Sequence, residues 1–129
     1  MLHSSHYTAE QANALLPEVR VTVRRLQDAK RVLRDEGIDT GFATLADVVG
    51  GAYPGLIRAR AAVAATLGFE HLEKLDLLVR DLETGLIDFP SLRDGREVYL
   101  CWQFDETEVG HWHAAEIGDP SRLPPDPWH

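Results

Sequence analysis

The last third of the chain holds side chains that can ligate a metal ion or act as nucleophiles. Cys101, the only cysteine, lies within thirteen positions of His111 and His113, and Asp88 precedes them. Thiolate, imidazole and carboxylate groups are the ligands that zinc and iron accept in proteins. We therefore treat Asp88, Cys101, His111 and His113 as a candidate site for zinc or iron.

Two other interpretations of the same residues remain open. No CxxC or HExxH motif is present, so Cys101 can instead be a small buried apolar residue and His113 a hydrogen-bonded core residue. Cys101 with a histidine base and Asp88 would also resemble a thiol triad. Catalytic cysteines usually lie at helix N-termini or in loops, however, and a position inside a strand argues against that chemistry.

A small-molecule pocket is a further hypothesis for this region. Aromatic walls with a few polar groups are typical of ligand sites. The competing interpretation is that the same aromatic residues join the sheet to the helices. The candidates for such a pocket are Tyr99, Trp102, Trp112, Arg96 and Glu106.

Strands must position these side chains, because the apolar pattern changes to a period of two after Gly85. The Asp94-Gly95 pair indicates a two-residue hairpin turn, which places Asp88 opposite Cys101 on one face. The next turn leaves two registers open. A three-residue loop pairs Cys101 with His111 and puts His113 on the same face, whereas a loop of two or four residues moves both histidines to the other face.

Helical periodicity precedes the strands. Thr8 and Gln11 form a capping-box pattern, and the apolar spacing predicts a first helix that Pro17 kinks or divides. In the second helix the helical spacing of apolar residues continues past Gly68, which predicts one long helix. The alternative is that the helix is interrupted at Gly68, since glycine is unfavourable inside a helix. The prediction is one α+β domain spanning 1–129, a long antiparallel helical hairpin followed by a small three-stranded antiparallel β-meander: helix one 8–36, helix two 53–84, meander 85–115, extended tail 116–129.

Composition limits the classes of function. The net charge is −8, with 8 basic and 7 acidic residues in 1–64 against 5 and 14 in 65–129. An acidic protein repels phosphate backbones, which argues against nucleic-acid binding. No apolar run is long enough for a membrane span and no signal peptide is visible, so we expect a cytoplasmic protein. The terminal histidines, His3, His6 and His129, are expected to be disordered.

Several stretches resemble a family of short bacterial and archaeal proteins known as domain of unknown function 2203. They are Ala-Asn-Ala-Leu-Leu-Pro at 12–17, the segment 81–90 that includes Gly-Leu-Ile-Asp-Phe-Pro, and Gly-Arg-Glu-Val-Tyr-Leu-Cys-Trp from 95 through Trp112-His113. The resemblance extends from Tyr7 to about Arg122. His111 departs from it, since an aromatic residue is expected there. The resemblance implies domain boundaries and no activity.

Two hypotheses follow. In the first, the chain binds a metal ion or small ligand on the C-terminal meander around Asp88, Cys101 and His113. In the second, it is a non-enzymatic homodimer that pairs through the Ala/Gly-rich face of helix two, because a helical hairpin leaves much apolar surface to cover. The sequence does not decide whether the protein is an enzyme.

Overall fold

A computed structural model describes residues 3–38 and 53–115. These residues form two helices and one antiparallel sheet in the strand order β1-β2-β3-β4, which confirms the α+β class. The predicted three-stranded sheet is wrong, because the sheet has four strands. The elements are α1 Ala9–Ile38, α2 Tyr53–Lys74, β1 Leu78–Asp81, β2 Leu86–Arg93, β3 Arg96–Trp102 and β4 His111–Ala114. The predictions for loop 39–52 and tail 116–129 lie outside the described residues.

Helix α1 begins with the capping box that the sequence predicts. The Gln11 backbone N–H donates to Thr8 Oγ1 at 3.1 Å, and the Thr8 N–H donates to Gln11 Oε1 at 2.9 Å. These two bonds satisfy backbone donors that have no partner within the helix. Pro17 lies inside α1, which continues through it as one helix.

Helix α2 ends ten residues before its predicted end at 84. The Leu77 N–H donates to Leu72 O and the Asp76 N–H donates to Glu73 O, while Asp76 has a φ of 60°. This bond pair and left-handed residue are a Schellman cap. Leu72 and Leu77 are both buried in the core, which adds the apolar contact of that motif. The cap frees residues 78–81 to form β1, the strand that the sequence analysis assigned to the helix.

The hairpin between β2 and β3 has the predicted turn and register. Asp94 and Gly95 have φ values of 52° and 78°, as a two-residue primed turn requires. Arg93 faces Arg96, and Asp88 faces Cys101. Gly85, which directly follows the predicted end of helix two, instead forms the turn between β1 and β2 with a φ of 69°.

The pairing of β3 with β4 matches the first of the two registers left open. Cys101 faces His111 and Tyr99 faces His113. The connection between the strands is longer than the three residues considered, and α1 helps to hold it. Asn13 Oδ1 accepts a bond from the Val109 N–H at 2.7 Å, and Arg20 donates to Glu106 O at 2.8 Å.

Helix α1 covers one side of the sheet. Its buried residues, including Leu16, Val19, Val23 and Leu26, form one apolar cluster with the side of the sheet that we call the apolar face. The apolar face consists of Ile87, Phe89, Leu100 and Trp102. Since side chains alternate along a strand, the residues between them lie on the other side.

Helix α2 packs closely on α1. A Cβ added to Gly68 would lie 2.7 Å from Leu26 Cδ2, so the absence of a side chain at Gly68 permits the contact. The sequence analysis assigned the Ala/Gly-rich face of this helix to a dimer interface. At Gly68 that face is instead covered by α1 of the same chain. The predicted hairpin depends on the connection at 39–52, which lies outside the described residues.

None of the described helices is both long enough and apolar enough to cross a membrane.

Candidate functional site

The side of the sheet opposite α1 carries the candidate chemistry. Asp88 lies on β2, Tyr99 and Cys101 on β3, and His113 on β4. We call these four residues the polar face. Asp88 is directly opposite Cys101, and Tyr99 is directly opposite His113. The two pairs are neighbours on one face, so His113 lies diagonally across from Cys101.

Three of these residues converge as metal ligands would. One ligand atom each from Asp88, Cys101 and His113 lies within 4.8 Å of the other two. The residues are 0%, 1% and 0% exposed. Burial of a carboxylate and an imidazole is unfavourable unless they are paired or bound to a metal. The stability of the site therefore depends on the partners that these buried polar atoms have.

One oxygen of Asp88 has two partners and the other has none. Asp88 Oδ2 lies 2.6 Å from Arg80 Nε and 3.1 Å from His113 Nε2. Asp88 Oδ1 is buried and has no hydrogen-bond partner among the described residues. A buried carboxylate oxygen without a partner costs about 1–3 kcal/mol or more. A cation is one partner that could pair this oxygen.

Both ring nitrogens of His113 face oxygen atoms. Nδ1 lies 3.1 Å from Ala114 O, and Nε2 lies 3.1 Å from Asp88 Oδ2. A neutral imidazole carries one proton and can donate to only one of them. A proton on Nδ1 satisfies the Ala114 carbonyl and leaves the Nε2 lone pair directed at the carboxylate. Metal-bound histidines have this arrangement, in which the second nitrogen donates to a carbonyl or carboxylate.

Arg80 joins the polar face from β1. Its guanidinium carbon lies 5.1 Å from the centre of the Tyr99 ring, and its side chain is 28% exposed. Burial raises the pKa of Tyr99 above its ordinary value of 10.0, Arg80 opposes that rise, and Asp88 adds to it. Tyr99 is therefore a neutral phenol near neutral pH and no anionic ligand.

The N-terminal segment is bound to the polar face, contrary to the expectation that His3 and His6 are disordered. His3 Nε2 lies 2.7 Å from the Tyr99 hydroxyl, and its backbone N–H donates to Glu97 Oε2 at 3.0 Å. His6 Nε2 lies 2.9 Å from the same Glu97 oxygen. A position near the end of the sequence is a poor guide here, because the partly buried Glu97 carboxylate and the Tyr99 hydroxyl hold the segment. His129 lies outside the described residues.

His111 lies outside the close cluster. It faces Cys101 across the strands, but its Nδ1 lies 3.5 Å from Glu106 Oε2 and its side chain is 36% exposed. Among the described residues, only Asp88, Cys101 and His113 form a group with metal-ligand spacing.

The predicted ligand-pocket residues do not share one surface. Trp102 belongs to the apolar face and Tyr99 to the polar face. Trp112 packs against the apolar core and lies 4.8 Å from the Arg93 guanidinium carbon. Glu106 organises its own loop, where its backbone oxygen accepts from Trp102 Nε1 at 3.0 Å. Arg96 is exposed at the hairpin end. Alternation along β3 places Tyr99 on the opposite side of the sheet from Trp102 and Arg96, while Arg96 and Trp112 line one cavity near the hairpin end.

Arg80 is the residue of the site that the sequence analysis missed. Its assignment to helix two hid it, because Leu72, Leu75, Val79 and Leu82 continue the helical spacing of that helix. Since Asp replaces the usual glycine at the helix cap, the boundary signal is weak.

The fold and the site together define a small α+β protein with a buried Asp–Cys–His cluster on a four-stranded sheet. The family model for an uncharacterized conserved protein, DUF2203, matches residues 5–124, and the chain belongs to this family. No curated protein matches the chain. No solved structure matches it either.

Proposed function

We propose that this protein binds a transition-metal ion, zinc above all, through Asp88, Cys101 and His113. The observation that carries the proposal is the buried cluster of Asp88, Cys101 and His113, in which the Oδ1 atom of Asp88 has no hydrogen-bond partner among the described residues. A cation bound there would pair the Oδ1 atom of Asp88, and the tautomer of His113 with its proton on Nδ1 would offer the Nε2 lone pair to the same cation.

The ligand set favours zinc. Sulfur, imidazole nitrogen and carboxylate oxygen around one ion suit a tetrahedral zinc site. Ligand atoms of such a site lie roughly 3.3–3.8 Å apart, given zinc bonds of about 2.0–2.3 Å. The present atoms, within 4.8 Å of one another, would have to approach by about an ångström. Iron accepts the same ligand types and is the alternative that elemental analysis distinguishes.

Three protein ligands leave one position of a tetrahedral ion open. His111 is one candidate for this position, because it faces Cys101 on the same side of the sheet. To reach the ion, its side chain would have to leave Glu106. A water molecule is the other candidate, as in zinc sites with three protein ligands.

Arg80 affects the strength of binding. Its bond to Asp88 Oδ2 neutralises the carboxylate when no metal is bound. A divalent ion with a Cys101 thiolate must bind beside this fixed positive charge, which opposes it. The Arg80 bond occupies Oδ2 only, so it leaves Oδ1 available.

The experiment is elemental analysis of natively purified protein without a tag, followed by a competitive zinc titration. We expect close to one zinc per chain. His113→Gln and Cys101→Ser should each lower zinc affinity about tenfold to a hundredfold, because each removes a ligand. His111→Gln, the same change on the same strand, tests whether His111 is a fourth ligand.

The outcomes separate the alternatives. Equal losses for His113→Gln and His111→Gln would support a four-ligand site that includes His111. A loss for His113→Gln alone would support three protein ligands. Protein without metal that also fails to take up zinc or iron in the titration would refute the proposal and leave the cluster as a hydrogen-bonded network.

A further inference from the structure

Helix α2 exposes a stripe of residues at coiled-coil spacing. The steps alternate between four and three residues, which keeps successive side chains on one side of a helix. We call it the α2 stripe, and every member is exposed: Leu56, Arg60, Val63, Leu67, Glu70 and Lys74. It lies away from the buried face of α2, where Ala61, Gly68 and Leu72 pack inward.

The centre of the α2 stripe is unusually apolar for a free surface. Val63 and Leu67, at the centre, are 58% and 60% exposed, and Leu56, at one end, is 45% exposed. Scattered apolar residues are normal on a protein surface, whereas adjacent ones on one side of a helix, bordered by charges, indicate an interaction site.

The charges bordering the row indicate which partner fits. Arg60 lies one turn before Val63, and Glu70 lies one turn after Leu67. When two copies of α2 are antiparallel about a two-fold axis between Val63 and Leu67, each Val63 faces the Leu67 of the other copy. Each Arg60 then faces a Glu70. A parallel pair would instead place Arg60 against Arg60 and Glu70 against Glu70, which is unfavourable.

We propose that a second copy of this chain binds the α2 stripe, forming an antiparallel, two-fold symmetric helix pair. In this arrangement apolar residues face apolar residues and opposite charges face each other, so the surface is complementary to itself, as an isologous interface requires. The outermost pair is Leu56 with Lys74, whose aliphatic stem can cover the leucine while its ammonium group stays in water. This inference is independent of metal binding, because the polar face lies on the other side of the sheet from the helices.

The test is sedimentation equilibrium of the full-length protein over a range of concentrations. The wild-type protein should be a reversible dimer. Leu67→Glu should raise the dimer dissociation constant about a hundredfold, because it introduces a charge at the centre of both symmetric contacts. Leu67 is exposed, so circular dichroism and thermal unfolding should show that the monomer still folds.

Charge exchange tests the orientation. Arg60→Glu alone and Glu70→Arg alone should each weaken the dimer about tenfold, since each change creates two pairs of like charges. The double variant Arg60→Glu with Glu70→Arg restores opposite charges and should recover the wild-type dissociation constant. Arg58→Glu, the matched control, changes the same charge outside the α2 stripe and should have little effect.

Three results would overturn the proposal. The first is a wild-type protein that stays monomeric at every concentration tested. The second is a dimer that tolerates Leu67→Glu, and the third is a dimer whose weakening by Arg60→Glu is not recovered in the double variant.

Discussion

The two faces of the same sheet are equally buried and chemically opposite. Leu100 and Cys101 are neighbours on β3 and are 0% and 1% exposed, yet Leu100 packs under α1 and Cys101 lies beside Asp88. Burial of the apolar face is favourable in itself, because it removes hydrocarbon from water. Burial of the polar face is favourable only if each polar atom finds a partner. One face therefore accounts for the fold, and the other is where a ligand changes the energy most.

The largest expected effect distinguishes the two faces by their response to zinc. Leu100→Ala should lower the free energy of unfolding by about 2–5 kcal/mol, because it leaves a cavity in the core. The loss should be the same with and without zinc, since the Leu100 side chain lies on the opposite side of the sheet from the proposed ligands. Urea denaturation at fixed zinc concentrations measures both values. A loss that depends strongly on zinc would show that the two faces are coupled.

Cys101→Ala is the matched change one residue further along the strand. It should lower the stability of the metal-free protein by only about 1 kcal/mol, because a thiol is small. It should also abolish the stabilisation by zinc, which is about 4 kcal/mol when free zinc is a thousandfold above the dissociation constant. An unchanged response of this variant to zinc would exclude Cys101 as a ligand.

Arg80→Gln should move stability and metal affinity in opposite directions. Without metal, the change leaves the Asp88 carboxylate buried without its cation, and we expect a loss of about 2 kcal/mol, reduced by the partial exposure of Arg80. With metal, the repulsion between the guanidinium and the ion disappears, so zinc affinity should rise several-fold. Paired chemical denaturation and zinc titration measure the two effects. A fall in zinc affinity would mean that Arg80 organises the site instead of opposing the ion.

The smallest effect concerns alkaline pH. The pKa of Tyr99 is raised above 10.0, and burial also raises the pKa of Tyr7, which Asp76 and Glu18 reinforce. A raised tyrosine pKa means that the unfolded chain loses its proton first as pH rises. The folded state therefore loses stability from about pH 10 upward and gains none from this source below it. Tyr99→Phe should make the decline in melting temperature above pH 10 less steep, whereas an unchanged alkaline decline would assign it to other groups.

Part of this arrangement could be predicted because local turn chemistry sets it. Asp94 and Gly95 take the positive φ angles of a two-residue turn, and counting back from that turn correctly places Asp88 opposite Cys101. The capping box at Thr8 is equally local. Once the register of the first hairpin is known, two members of the cluster are known to share a face.

The rest depends on long-range contacts that local patterns do not encode. The position of His113 follows from the β3–β4 register, and contacts of the intervening loop with Asn13 and Arg20 on α1 help to hold that loop. Arg80 was missed because Asp76 adopts the left-handed conformation at the helix end, where glycine is the usual signal. The N-terminal histidines were expected to be free because their partners, such as Glu97, lie more than 90 residues away.

Cobalt titration of the metal-free protein, followed by absorption spectroscopy, tests the central claim most directly. Cobalt(II) accepts the same ligands as zinc and reports thiolate bonding through a sulfur-to-metal charge-transfer band. We predict this band at one equivalent, its absence in Cys101→Ala, and its disappearance when zinc is added. A wild-type protein that shows no charge-transfer band at any cobalt concentration would contradict metal binding through Asp88, Cys101 and His113.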